Sequence, residues 1–92
     1  MDLITGVIGL GNIGNGVATN LVKGGFEVIG YDIDLERLKI NNINAANGAD
    51  EIASKCDLIM VAVASLESYQ ETMSTIYKNA KPGLVIGDLC TF

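Results

Sequence analysis

Histidine is absent from this chain of 92 residues, cysteine occurs twice and proline once, and the aromatics are three Tyr and two Phe. Without histidine there is no zinc site of the usual kind, and no His-based general acid, base or triad. Cys56 and Cys90 form no CxxC and no Cys/His cluster. A disulfide framework is therefore not expected, and reduced thiols in a cytoplasmic protein are. The six Lys and Arg residues are scattered and the net charge is −5, with a pI near 4.3. That balance argues against nucleic acid as a partner. No apolar run reaches the ~20 residues that span a bilayer, so no membrane partner is expected. The opening MDLITG has no basic segment of the kind that starts a secretory signal.

What is present is aliphatic. Nearly half of the residues are hydrophobic, 49%, which rules out a disordered chain and suits a parallel sheet covered by helices. The length allows one domain. Short apolar runs alternate with helical spacing: strands are expected at Ile4–Leu10, Phe26–Tyr31, Ile43–Ala46, Leu58–Val63 and Leu84–Asp88. The spacing predicts helices over Asn12–Lys23, Asp34–Asn42, Asp50–Lys55 and Leu66–Asn79. In the first, Ile13, Val17, Leu21 and Val22 recur at helical spacing and Gly24-Gly25 stops the helix. In the second, Leu35, Leu38 and Ile43 are expected to face inward behind an Asp34 cap. Ser65 caps the fourth, and Lys81-Pro82-Gly83 ends it. Strand–helix alternation of this kind implies right-handed crossovers and a doubly wound α/β sheet.

One loop carries chemistry. Gly9-Leu10-Gly11-Asn12-Ile13-Gly14 reads G-x-G-x-x-G between the first strand and the first helix. By itself the pattern is weak in a chain with 11 glycines; the strand before it, the helix after it and an acid beyond the next strand make it specific. Gly9 permits the turn, Gly11 lets a pyrophosphate approach the backbone, and Gly14 lets the helix pack on the strand. Asp32 follows Gly14 by 18 residues, where a carboxylate can accept from both ribose hydroxyls and would repel a 2′-phosphate. NAD is accordingly the expected cofactor, in preference to NADP. The competing reading is a tight strand–helix turn in a fold that binds a flavin or another nucleotide. Arg37, the one arginine nearby, could hold a phosphate but reads rather as a residue on a solvated helix face, and Asp34 as a cap.

These residues resemble the opening of the 3-hydroxyisobutyrate dehydrogenase family, the β-hydroxyacid dehydrogenases, which includes relatives of 6-phosphogluconate dehydrogenase. The family pattern is G-x-I-G-L-G-x-M-G-x-x-M-A-x-N-L; Ile13 and Val17 stand at its two methionines, and Ala18, Asn20 and Leu21 match. CDLIMVAVASLESYQETM is similar to its fourth strand and following helix, and GDLCTF to its D-x-S-T-I. The resemblance implies a Rossmann-type doubly wound sheet truncated after strand five. Residues 1–92 would then be an incomplete dinucleotide-binding domain, the N-terminal part of a longer dehydrogenase. It adds cofactor contacts at Val63, Ala64, Ser68 and Thr91 to those at Gly9, Leu10, Gly11, Asn12, Ile13, Gly14 and Asp32. Ala64 replaces a proline, Ser68 a common asparagine and Cys90 a serine. The implied reaction is oxidation of a small 3-hydroxyacid by hydride transfer to NAD, in a homo-oligomer. The family's catalytic lysine sits in a helical domain, and none of Lys23, Lys39, Lys55, Lys78 or Lys81 matches it. No catalytic residue is assigned, and this chain alone is expected to be inactive. A prephenate or arogenate dehydrogenase-like fragment and a non-catalytic NAD-sensing regulatory module stay open as alternatives.

Overall fold

The computed structural model describes residues 3–39 and 43–91. Strand β1 (Ile4–Ile8) runs through the glycine loop into α1 (Asn12–Lys23), and β2 (Glu27–Tyr31) follows. A 3₁₀ turn over Leu35–Lys39 precedes β3 (Asn44–Ala45), α2 (Ala49–Lys55), β4 (Leu58–Val61), α3 (Leu66–Asn79) and β5 (Val85–Asp88). The five strands form one sheet in the order β3-β2-β1-β4-β5, and every pair is parallel. The winding direction therefore reverses at β1. In open α/β sheets the crevice at such a reversal, beyond the carboxyl ends of the strands, is where ligands sit.

Side chains alternate across the strands, so the sheet has two buried faces. Val7 and Val28 point one way with Leu10 and Ala18, against Val17, Leu21 and Val22 of α1. Ile8, Ile29, Ile59 and Val61 point the other way, against Ile52 and Ala53 of α2 and Ile76 of α3. Ile52, Ile59 and Ile76 are fully buried, each contributing roughly 1.5–3 kcal/mol of apolar burial. Beneath this second face lies Cys56, whose thiol burial pushes up to about 11. It is a core group, not a nucleophile.

Local signals set the ends of the elements. Gly25 has φ 89°, a left-handed conformation that glycine adopts at no steric cost. Its N–H donates to the Val22 carbonyl and that of Phe26 to the Leu21 carbonyl, the paired bonds that close a helix. At α3 the Ser65 hydroxyl accepts from the Ser68 N–H at 3.1 Å, as its capping position demands. Strands are shorter than the apolar runs suggest: β1 stops at Ile8, β2 begins at Glu27, β3 is Asn44–Ala45, β4 ends at Val61 and β5 begins at Val85. Ile13 does not join the core of α1; it is 61% exposed, and the sheet is met by Gly14 and Ala18 instead. Small side chains there let the helix come closer than an isoleucine would. The expected helix over Asp34–Asn42 is a 3₁₀ turn, with the Arg37 N–H donating to the Asp34 carbonyl. The run of asparagines after it favours local side-chain bonding over helix; residues 40–42 lie outside the described residues. Leu35 is 63% exposed rather than inward, whereas Leu38 and Ile43 pack beneath α1's side of the sheet.

Asp57, at the head of β4, ties three strands together. Its Oδ2 accepts the Ile4 N–H at 2.9 Å, its Oδ1 pairs with Lys81 Nζ at 2.8 Å, and its carbonyl accepts the Val85 N–H. Lys81 also donates to the Lys55 carbonyl at the end of α2. The Lys81 ammonium and the Ile4 N–H hold the Asp57 carboxyl below its ordinary 3.8. A depressed carboxyl stabilises the fold above its unfolded pKa, and that stability is lost as pH falls through the folded value. Asp57→Asn should therefore lower the melting temperature at pH 7 by a few degrees. It should also flatten the loss of stability below about pH 4. Circular dichroism melts across pH check both, and an unchanged acid limb would refute the role given to Asp57.

The outer edge of β5 has no strand beside it among the described residues, and Val85 on it is 60% exposed. Open apolar edges recruit other chains. The 92-residue chain is expected to self-associate at about 100 μM; light scattering after size exclusion checks this, and a clean monomer would count against it.

Candidate functional site

The glycine loop lies at the carboxyl end of β1, against the chain leaving β4. Gly9 has φ 94°, and a Cβ there would collide with the Ala62 carbonyl. A Cβ on Gly14 would fall on the Gly9 carbonyl oxygen, so α1 can start directly over β1 only with glycine at that position. Gly11 differs. With φ −71° and only Arg37 Nη1 within reach of an added Cβ, at 3.5 Å, its open side is a cradle that a side chain would fill. Gly11 caps α1 without a side-chain hydrogen bond, and no acidic residue stands in the first turn. The helix N-terminus thus keeps its free N–H groups and its positive dipole end, which suit phosphate.

Asp32 sits just past β2, beside this loop. Its side chain is 5% exposed. Oδ2 accepts the Leu10 N–H at 2.6 Å and Oδ1 accepts the Asp34 N–H at 2.8 Å, so the carboxylate fastens the glycine loop to the turn after β2. Arg37 Nη1 lies 3.4 Å from Asp32 Oδ2, and Arg37 Nε lies 3.7 Å from Asp34 Oδ2. Arg37 therefore does not stand on a solvated helix face: the 3₁₀ turn carries it back to Asp32. Asp34 accepts the Glu36 N–H at 3.2 Å, as expected of a cap.

A cavity of about 200 Å³ opens here. It brings together Gly9, Gly11, Asp32, Val63, Ala64 and Ser68, all anticipated from the sequence. Leu10 and Gly14 are buried behind it. Asn12, Ile13 and Thr91 are exposed and lie outside its lining. The cavity also takes in Arg37, which the sequence offered as a less favoured phosphate contact, and adds Ile8, Tyr31, Ile33, Ala62, Glu71 and Thr72, which the sequence reading did not name as site residues. Glu71 and Thr72 had a legible signal, since they fall one helical turn after Ser68. Ile33, 77% exposed, directly follows Asp32.

Beyond the cavity, Tyr69 Oη donates to Asp88 Oδ2 at 2.7 Å, and the Cys90 N–H donates to Asp88 Oδ1 at 2.8 Å. These bonds hold the Asp88 carboxyl low and the Tyr69 hydroxyl high, and they fix the turn after β5 against α3. Burial raises the Cys90 thiol. Among the described residues no cluster of His, Cys, Asp or Glu could hold a metal, and no helix is long and apolar enough to cross a membrane.

Fold and site together define a dinucleotide-binding α/β domain. The model of the NAD binding domain of 6-phosphogluconate dehydrogenase matches residues 4–92, and the chain belongs to that family. Mitochondrial 3-hydroxyisobutyrate dehydrogenase of Mus musculus is 36% identical, with 94% of this chain covering 28% of that protein. The Rattus norvegicus enzyme is 35% identical over the same shares. Among solved structures, 3-hydroxyisobutyrate dehydrogenase of Mycobacterium tuberculosis superposes with a TM-score of 0.85 at 22% identity. That match covers 96% of this chain and 31% of that one, a likeness of fold. The chain thus spans under a third of the length of these relatives.

Two glycines separate folding from binding. Gly14→Ala should destabilise the fold by at least about 1–3 kcal/mol, because backbone must give way. Gly11→Val should melt close to the parent chain and lose NADH. Melting curves with NADH titration check the pair; a Gly11→Val chain that binds NADH normally would remove the loop from the phosphate site.

Proposed function

We propose that this chain is the cofactor-holding part of an NAD-dependent dehydrogenase that oxidises a small 3-hydroxyacid. One observation carries the reading: the open glycine cradle that caps α1, Gly11, and a buried carboxylate, Asp32, line one cavity at the strand-order reversal. When bound, NAD supplies the hydride acceptor. The chain's own residues bind and orient it. Gly9 and Gly11, with the free N–H groups at the start of α1, would hold the pyrophosphate. Asp32, held by the Leu10 N–H, faces the adenosine ribose. Ile33 and the Val63–Ala64 segment, with Ser68 and Thr72, would enclose the adenosine end in the same cavity. Thr91 lies further along, where the turn after β5 is fixed by Asp88.

No side chain here is assigned to proton transfer, so the reaction needs groups beyond those described. The 3-hydroxyacid rests on the mouse and rat relatives' names and on the resemblance of the D-x-S-T-like Asp88–Thr91. A homo-oligomer is part of the same proposal. So is a cytoplasmic location, which imaging of a tagged chain would separate from the mitochondrial one of those relatives.

The test is direct binding. NADH should bind more tightly than NADPH, and Asp32→Asn should narrow that difference by weakening NADH. Titration calorimetry with both cofactors measures it. Tighter NADPH binding by the parent chain would overturn the role of Asp32.

A further inference from the structure

The dipeptide Asn-Gly occurs twice in the chain, at Asn15-Gly16 and at Asn47-Gly48. An asparagine amide can be attacked by the backbone nitrogen of the residue after it. Glycine in that second place puts no Cβ in the way. The fold gives the two copies opposite surroundings.

Asn15 is half-buried inside α1. The Gly16 N–H belongs to the helix ladder. The side chain of Asn15 is held as well, since the Thr19 hydroxyl donates to its Oδ1 at 3.3 Å. Attack by the Gly16 nitrogen therefore requires the helix to open first. Asn47 is exposed, in the bend between β3 and α2. Its N–H donates to Glu51 Oε1 at 3.1 Å, which anchors the side of the residue that takes no part in the attack. The reacting side is not anchored. Among the described residues neither the Asn47 amide nor the Gly48 N–H has a hydrogen-bond partner. Gly48 caps α2 in the extended conformation, so its N–H lies ahead of the helix ladder.

We propose that Asn47 is a site of spontaneous deamidation, and that Asn15 is the same dipeptide kept inert by its helix. The Gly48 nitrogen attacks Cγ of Asn47. The N–Cγ bond forms, the Cγ–Nδ2 bond breaks, and Nδ2 leaves as ammonia with the proton from Gly48. Water then opens the resulting succinimide at one of its two carbonyls. One opening leaves an aspartate at position 47. The other leaves an isoaspartate, whose backbone runs through the former side chain and is one methylene longer. Either product adds a negative charge just before α2, whose first turn already carries Asp50 and Glu51. The isoaspartate also lengthens the chain next to Ala46, whose N–H donates to the Gly30 carbonyl at 2.8 Å. That bond helps to hold β3, a strand of two residues, on β2. Asn47 and Gly48 do not line the cavity, so the inference stands apart from the NAD reading.

Incubation of the chain in mildly alkaline buffer, followed by peptide mapping with mass spectrometry, tests this. Isoaspartyl methyltransferase serves as the probe for the isoaspartate. In the folded chain Asn47 should convert at least about tenfold faster than Asn15, because reaction at Asn15 is scaled down by the helix-opening equilibrium. A more acidic species should appear on anion exchange at the same rate. In urea, where α1 is lost, the two asparagines should convert at similar rates. Gly48→Ala should lose most of the conversion at Asn47. An added Cβ there meets the Asp50 carboxylate, a side chain that can move, and circular dichroism confirms that the variant is folded. If the folded chain converts Asn15 as fast as Asn47, or keeps Asn47 intact while urea converts both, the inference is wrong. Conversion of Gly48→Ala at the parent's rate would equally overturn it, because the Gly48 nitrogen would not be the attacking group.

Discussion

The close approach of α1 to β1 governs the rest of this molecule. Gly14 sits so near the Gly9 carbonyl that no side chain fits between them. Gly9 in turn needs a left-handed backbone and a bare face toward Ala62. These two constraints fix where the helix begins. They aim its N-terminus over the carboxyl end of β1, next to β4, at the place where strand order reverses. Small Ala18 continues the close contact one turn later. Had the helix stood further off, its free N–H groups would face solvent instead of a cleft.

Much of this was legible because the signals are local. A G-x-G-x-x-G between strand and helix, a serine before a helix and a pair of glycines after one each act within a few residues, and each does in the structure what its chemistry requires. Element order followed from alternating apolar runs. Ends of strands were less legible, since an apolar residue past the last ladder bond, such as Val63, serves the cavity and not the sheet. Ile13 shows the limit of periodicity. It fits a helical stripe, yet the stripe that meets the sheet is made of Gly14 and Ala18, and spacing alone does not say which face is inward.

Arg37 was only partly legible, for a different reason. Its spacing of five residues from Asp32 matches no helical or strand pairing rule. In the structure a 3₁₀ turn stands where the helix is expected, and the guanidinium lies 3.4 Å from the carboxylate. A full α-helix from Asp34 would have carried the residue around a wider cylinder. Thr91 is the converse case. A motif resemblance implies a cofactor contact there, and the turn after β5 holds it exposed, beside rather than within the cavity that Asp32 lines.

Asp32 joins the fold to the site. Its bonds to the Leu10 and Asp34 N–H groups are what hold the glycine loop against the end of β2, so the carboxylate is oriented before any ligand arrives. Preorganisation of this sort lowers the ordering cost of binding. It also limits what the carboxylate can still offer, because lone pairs spent on backbone are not available to hydroxyls. The remaining freedom lies entirely on the side where Arg37 stands. A residue that is half-exposed, flexible and weakly paired is therefore positioned to modulate a residue that is buried, rigid and committed. Asp32 and Arg37 thus present a paired charge to the cavity, and the 3₁₀ turn after β2 carries the cation.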